Sequence, residues 1–255
     1  MNEQQTPNKP IFTKGLKGVI ANETGLSDVR GEEGRLLYCG YEIEDLVDLC
    51  SFTEIIYLLL NKRLPNREEL EGLKQRLRND RELPQPILDF FKSATKTARP
   101  MSALRTAVSM LGMYDDRTKD PSQMKEIGLS LIAKLPVMAA YYYRLCQGLD
   151  LPPIRTDLGE AEHFLWLLKG TEPDPAEAHI LDVAYILHAD HGMNASTFSA
   201  RVTASTLSDM YSAITSAIGS LKGPLHGGAN EAVIEMLKEI GEEENVEEYI
   251  NRKLA

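Results

Sequence analysis

The chain has 255 residues, of which 43% are hydrophobic and 26% charged, a length that suits one large domain or two modest ones. With 28 basic and 38 acidic residues the formal charge is −10, which argues against a phosphate-backbone partner such as nucleic acid. Apolar runs such as Ile55–Leu60 and Leu135–Tyr143 fall far short of the roughly 20 residues a membrane-spanning helix needs.

The polar start, 1–14, is expected to be a loose tail with no charged-then-apolar signal peptide. Gly15 to Gly40 has β character: Val19-Ile20 and Leu36-Leu37-Tyr38 flank the turn-rich stretch Ser27–Gly34, which predicts a small hairpin. From Glu42 onward the period is helical. Ser51-Phe52-Thr53-Glu54 and Asn66-Arg67-Glu68-Glu69 are capping boxes, in which the first side chain takes an end-of-helix N–H and the Glu reaches back to another. Pro84 and Pro86 open an apolar helix over Ile87–Ser93, and Pro100 opens one that runs to about Met113. The segment from Ser122 to Gln147 is helical, with a kink or split expected after Leu135 because Pro136 lacks an N–H. Further helices are predicted over Leu158–Lys169, Pro175–Ala189, Ser196–Thr206, Ser208–Lys222, Glu231–Ile240 and Val246–Leu254. The whole is mainly α.

Between Ser196 and Ser220 only Arg201 and Asp209 carry charge, and Met101–Met113 has Arg105 alone. Helices without a polar face are buried on all sides, either in a central core or at a subunit interface. The cysteines Cys39, Cys50 and Cys146 form no C-x-x-C pair, so reduced thiols in a cytoplasmic protein are expected.

Five histidines carry what chemistry the sequence displays. His163 and His179 lie in helices among charged neighbours, where a solvated or partly buried surface role is expected rather than catalysis. His191 is expected on the stripe Ile180, Ala184, Leu187, His191 where a helix closes, with His188 beside it on an adjoining line with Leu181, Ala184 and Tyr185, at the end where the macrodipole favours positive charge. Gly192-Met193-Asn194 then breaks the chain, and Ser196 or Thr197 can cap the next helix. In the bland alternative His188 bonds a carbonyl and Asn194 shapes the turn. A metal set built on His188 and His191 with Asp190 or His226 has the i, i+3 spacing but lacks the H-E-x-x-H pattern. The most specific feature is Lys222–Ala232, where His226 lies among three glycines just before a helix for which Asn230 is a suitable cap. A helix N-terminus favours negative charge, and a neutral imidazole there can donate a hydrogen bond to a developing enolate oxygen.

Taken together, His188-Ala-Asp-His191-Gly-Met-Asn194-Ala-Ser-Thr and Gly223-Pro-Leu-His226-Gly-Gly-Ala-Asn230-Glu-Ala resemble the paired signatures of the citrate synthase family. Arg201–Ala213, Gly15-Leu-Lys-Gly-Val, Gly34-Arg-Leu-Leu-Tyr-Cys-Gly-Tyr and Pro100-Met-Ser-Ala-Leu-Arg-Thr-Ala-Val are similar to its bacterial and archaeal members, so the resemblance runs from Gly15 to the last residue. It implies a multi-helical large domain over 15–228, a small domain beginning at 229–255, and a homodimer packed through helices 101–113 and 208–222. The implied reaction condenses acetyl-CoA with oxaloacetate, without metal or cofactor. By motif His226 matches the enolate-stabilising histidine, His191 a histidine that binds oxaloacetate, and His188 and Asn194 supporting positions of that pocket. The family's Gly-Phe-Gly-His-Arg-Val-type loop and the catalytic Asp beyond it have no counterpart in this sequence. The expectation is therefore a chain that stops inside the small domain and carries part of a site. A non-catalytic module, and a 2-methylcitrate synthase acting on propionyl-CoA, stay open beside it.

Overall fold

A three-stranded antiparallel sheet comes first: β1 (Ser27–Arg30), β2 (Arg35–Tyr38) and β3 (Tyr41–Glu42), paired in that order. The computed structural model describes residue 20 and residues 22–95 and 98–254, apart from the side chains of Asn230 and Glu231. The tail 1–14 and Val19 lie outside the described residues, and Ile20 is exposed and in no strand. The partner of Leu36–Tyr38 is instead Ser27–Arg30, with Ser27 opposite Tyr38 and Arg30 opposite Arg35. β1 is a largely exposed edge strand whose polar residues read as turn, because no buried face imposes alternation on it.

Twelve α-helices follow among the described residues: α1 (Ile43–Leu49), α2 (Phe52–Asn61), α3 (Arg67–Asn79), α4 (Gln85–Ala94), α5 (Pro100–Leu111), α6 (Met124–Cys146), α7 (Glu160–Lys169), α8 (Pro175–Leu187), α9 (Ala195–Ser205), α10 (Met210–Leu221), α11 (Gly228–Ile240) and α12 (Val246–Leu254). The mainly α expectation holds. At α2 the Glu54 carboxylate accepts both the Ser51 N–H and the Ser51 hydroxyl at 2.8 Å. At α3 the exchange is reciprocal: Asn66 Oδ1 accepts the Glu69 N–H at 2.9 Å and Glu69 accepts the Asn66 N–H at 2.8 Å. Each such cap contributes about 1 kcal/mol.

Pro136 does not split α6, which runs unbroken through it. Loss of one ladder bond is offset by tertiary packing, since Val137, Met138, Ala140 and Tyr142 just beyond the proline are all buried. α6 forms the floor of the main core, where Ile127, Leu131, Met138 and Tyr142 meet Ile87 and Phe91 of α4, Ala103, Ala107 and Val108 of α5, and Tyr211 and Ile218 of α10. A second cluster joins the sheet to the helices: Tyr38, Ile43, Leu46, Ile55 and Leu58 pack with Ile186 of α8.

The three helices of the charge-poor segments do not behave alike. α5 and α10 supply core residues, as expected. α9 has none, and Phe198 and Val202 on it are exposed in the single chain. The stripe Ile180, Leu187, His191 is exposed too, and α8 buries Ala178 and Ile186 instead. Among the described residues no helix is long and apolar enough to cross a membrane.

Candidate active site

The histidine-bearing segments are the turn from α8 to α9 and the loop from α10 to α11. α8 ends at Leu187, earlier than its apolar period suggests. His188 is its C-cap, with Nδ1 donating to the Ala184 carbonyl at 2.7 Å, and the ring is exposed. This is the carbonyl bond of the bland alternative, and it leaves Nε2 of His188 as an acceptor. His191 lies beyond the helix rather than on it, so the two rings do not share a helical face at its end. Gly192, at φ 91°, makes the reversal that an L side chain would strain.

Asn194, not Ser196 or Thr197, caps α9: its Oδ1 accepts the Thr197 N–H at 2.9 Å. Its Nδ2 lies 3.4 Å from His191 Nε2, a long contact that brings the amide and the ring together at the helix entrance. In the first turn of the same helix, Ser196 Oγ makes a close contact with His226 Nε2. The first turn of α9 therefore touches both histidine segments, His191 through Asn194 and His226 through Ser196. It carries no acidic residue, so its N–H groups and dipole favour an anion. Ser196 entered the sequence reading only as a cap candidate. Its position two residues after the capping Asn is the signal that aims it back at the turn.

The His226 loop is wound tightly on itself. His226 N–H donates to the Gly223 carbonyl at 3.0 Å, and Gly227 N–H to the Leu221 carbonyl at 2.9 Å. A Cβ at Gly227 would stand 2.4 Å from that Leu221 oxygen, so only glycine fits there. α11 then begins at Gly228 with Gly227 at its N-cap position, which puts Asn230 inside the first turn rather than at the cap. His226 is half-buried, and Leu225 beside it is fully exposed.

The other two histidines lie apart from this junction. His163 is not on the surface: it is 2% exposed on α7, and Nε2 accepts the Arg155 N–H at 3.4 Å. Burial pushes its ring down to about 3, helped by the neighbouring Arg81 charge. Its charged neighbours misled because their heads are engaged elsewhere; Arg155, for example, pairs with Asp157 and Glu172. Buried Leu167, one turn on, marks the face on which His163 lies. His179 is exposed on the rim of a cavity of about 320 Å³ between α2, α3, α7 and α8, which contains none of His188, His191 and His226. Among the described residues no three His, Cys, Asp or Glu side chains converge as a metal set, so the set sketched on His188 and His191 does not form.

A mainly α fold thus brings a glycine-wrapped histidine and a second histidine to one helix N-terminus, an arrangement whose N–H groups favour an anionic ligand. The family model for the citrate synthase C-terminal domain matches residues 15–255, and the chain belongs to the citrate synthase family. It is 51% identical over 245 residues to citrate synthase 2 of Bacillus subtilis, covering 95% of this chain and 65% of that protein. It is 42% identical to 2-methylcitrate synthase 2 of Corynebacterium glutamicum, over 94% of this chain and 65% of that protein. Among solved structures, citrate synthase from Pyrobaculum aerophilum is 40% identical at a TM-score of 0.84, covering 94% of this chain and 64% of that one. The Thermoplasma acidophilum enzyme, in a ternary complex with carboxymethyl coenzyme A and oxaloacetate, is 30% identical at a TM-score of 0.86, covering 95% and 64%. The chain thus spans about 65% of the length of the curated relatives it matches.

Proposed function

We propose that this chain carries the histidine half of a citrate synthase active site, which condenses acetyl-CoA with oxaloacetate to give citrate and free CoA. The observation that carries the reading is the pairing of His226 with Ser196 at the helix entrance that also holds His191 through Asn194. A Ser196 hydroxyl donating to Nε2 leaves the His226 proton on Nδ1, where it can be given as a hydrogen bond to the thioester oxygen. Loss of a methyl proton from acetyl-CoA makes that oxygen an enolate, and a neutral donor stabilises it without competing for the proton. The enolate carbon then attacks the oxaloacetate carbonyl, and water cleaves the resulting thioester to release the thiol. His191 binds oxaloacetate, with Asn194 orienting its ring and His188 lining the pocket. The uncompensated α9 N-terminus favours the substrate's negative charge.

The base that takes the methyl proton belongs to the third of the relatives' length that this chain does not span. Acetyl-CoA is a co-substrate, no metal or cofactor enters, and the work is cytoplasmic. The domain division falls near residue 228, and two copies pair through α5 and α10. The solved relative holding oxaloacetate with a CoA analogue supports the substrate pair. The Corynebacterium relative favours a second substrate, propionyl-CoA, to be compared side by side with acetyl-CoA.

The test follows free thiol release from oxaloacetate and acetyl-CoA, with the purified chain alone and with the C-terminal third of the Bacillus relative supplied in trans. The expected result is oxaloacetate binding without turnover for the chain alone, turnover on complementation, and loss of that turnover by at least about a hundredfold in His226→Ala. Turnover by the chain alone at the rate of a complete synthase would show that it holds its own base. Complemented turnover untouched by His226→Ala would remove His226 from the mechanism.

A further inference from the structure

Tyr38 lies on β2, about 150 residues before the histidine turn in the sequence. Its ring has no exposed surface, and its hydroxyl reaches the turn from behind. Oη donates to the Ile186 carbonyl at 2.9 Å and accepts the Asp190 N–H at 3.2 Å. These two backbone groups bracket His188, and Asp190 immediately precedes His191. The backbone bonds nearest the turn hold its start, with the His188 N–H on the Ala184 carbonyl and the Ala189 N–H on the Ile186 carbonyl, both at 3.2 Å; Asp190 Oδ2 is buried with no hydrogen-bond partner, and Gly192 follows at a positive φ. The aromatic ring is anchored in the core beside Leu46, Ile55, Leu58 and Ile186, so the hydroxyl is delivered from a fixed point.

We infer that Tyr38 is a positioning residue, through which the small sheet fixes the path of the chain from α8 to His191 and so the place where His191 meets substrate. One hydroxyl acting as both donor and acceptor ties the end of α8 to the residue before His191 across a span that contains His188. Without it the Asp190 N–H loses the partner it has in the structure, a part-buried donor is left unpaired, and the turn opens to satisfy it from water. The sheet then serves the site through the backbone of the turn. The inference rests on the reading of His191 as an oxaloacetate ligand only for its effect on binding.

Tyr38→Phe keeps the ring and removes the hydroxyl. The control is Tyr141→Phe, which removes another buried hydroxyl, one that donates to the Pro152 carbonyl at 2.6 Å away from the turn. Amide exchange over residues 186–194, the ring signals of His191 and oxaloacetate affinity are measured for both variants and the unmodified chain. In Tyr38→Phe the Asp190 amide is expected to exchange about tenfold or more faster, the His191 ring signals to shift, and oxaloacetate to bind about tenfold more weakly. Tyr141→Phe should lose comparable thermal stability and change none of the three. Unaltered Asp190 exchange and His191 signals in Tyr38→Phe overturn the inference. Should the unmodified chain bind no oxaloacetate, the ligand reading of His191 fails while the exchange data still decide the role of Tyr38. If Tyr38→Phe does not fold, a slowly exchanging Tyr38 hydroxyl proton with a cross-peak to the Asp190 amide is the expected signature in the unmodified chain, and its absence overturns the inference.

Discussion

His163 and His226 show how differently one residue type is used in this chain. His226 lies half-buried in a loop and touches a hydroxyl. His163 is sealed in α7, where Arg81 reaches the Arg155 and Leu158 carbonyls and pairs with Glu160. Because burial holds His163 near 3, well below its ordinary value of 6.5, it stays neutral in the folded chain while the unfolded chain takes up a proton below pH 6.5. The sign follows: the folded state binds fewer protons, so stability falls as pH drops from 6.5 toward 3, by up to about 1.4 kcal/mol per unit. Asp115, held down to about 2 chiefly by its hydrogen bonds to Arg117, extends the same loss from 3.8 downward. Urea unfolding at a series of pH values should show this slope, flattened between pH 6.5 and 4 in His163→Gln even though that variant starts less stable. Parallel slopes would mean that the ring titrates normally in the fold. Nothing local announced this role, because the neighbours of His163 in sequence are charged and only its spacing to Leu167 points inward.

At the scale of elements, what was legible followed the range of the interaction. The capping boxes at Ser51 and Asn66 and the proline starts of α4, α5 and α8 need only three or four neighbouring residues, and they stand where the sequence puts them. β1 and the course of α6 through Pro136 are settled by partners distant in sequence, and there the local pattern misled. The two histidine motifs approach one another through Asn194 and Ser196 at the mouth of α9, not along a helical stripe of α8. Asn194 therefore has two duties, and Asn194→Ala removes both. Losing the cap should cost 0.5–2 kcal/mol in a urea titration, about 1 kcal/mol being typical. Asn194→Asp keeps an acceptor for the Thr197 N–H but loses the Nδ2 donor toward His191. It should restore stability without restoring oxaloacetate affinity. Recovery of both by Asn194→Asp would reduce the residue to a cap.

For the whole molecule the apolar surface is distributed unevenly. Ile180 and Leu187 on α8, Phe198 and Val202 on α9, Leu225 before α11, and Val233, Ile234 and Leu237 on it are all exposed. Each would contribute on the order of 1.5–3 kcal/mol if it were buried, and they lie on α8, α9 and α11 and in the loop of His226, the segments that carry or flank the histidine motifs. α9 packs on α10, one of the two helices through which the proposed dimer forms, so its uncovered face adjoins that interface. The chain by itself should bind a solvatochromic dye and associate at micromolar concentration, visible by sedimentation velocity. Because neither Phe198 nor Val202 is buried in the single chain, Phe198→Lys with Val202→Lys should lower dye binding by several-fold and leave the melting temperature within a few degrees. The assembly state of that double variant separates two surfaces. A dimer that persists with weak dye binding is the one built on α5 and α10, with the α9 face left for a different partner surface. A double variant that becomes a monomer makes α9 part of the twofold contact. A monodisperse, dye-silent monomer before any substitution would overturn both, and with them the argument that this apolar surface is there to be covered.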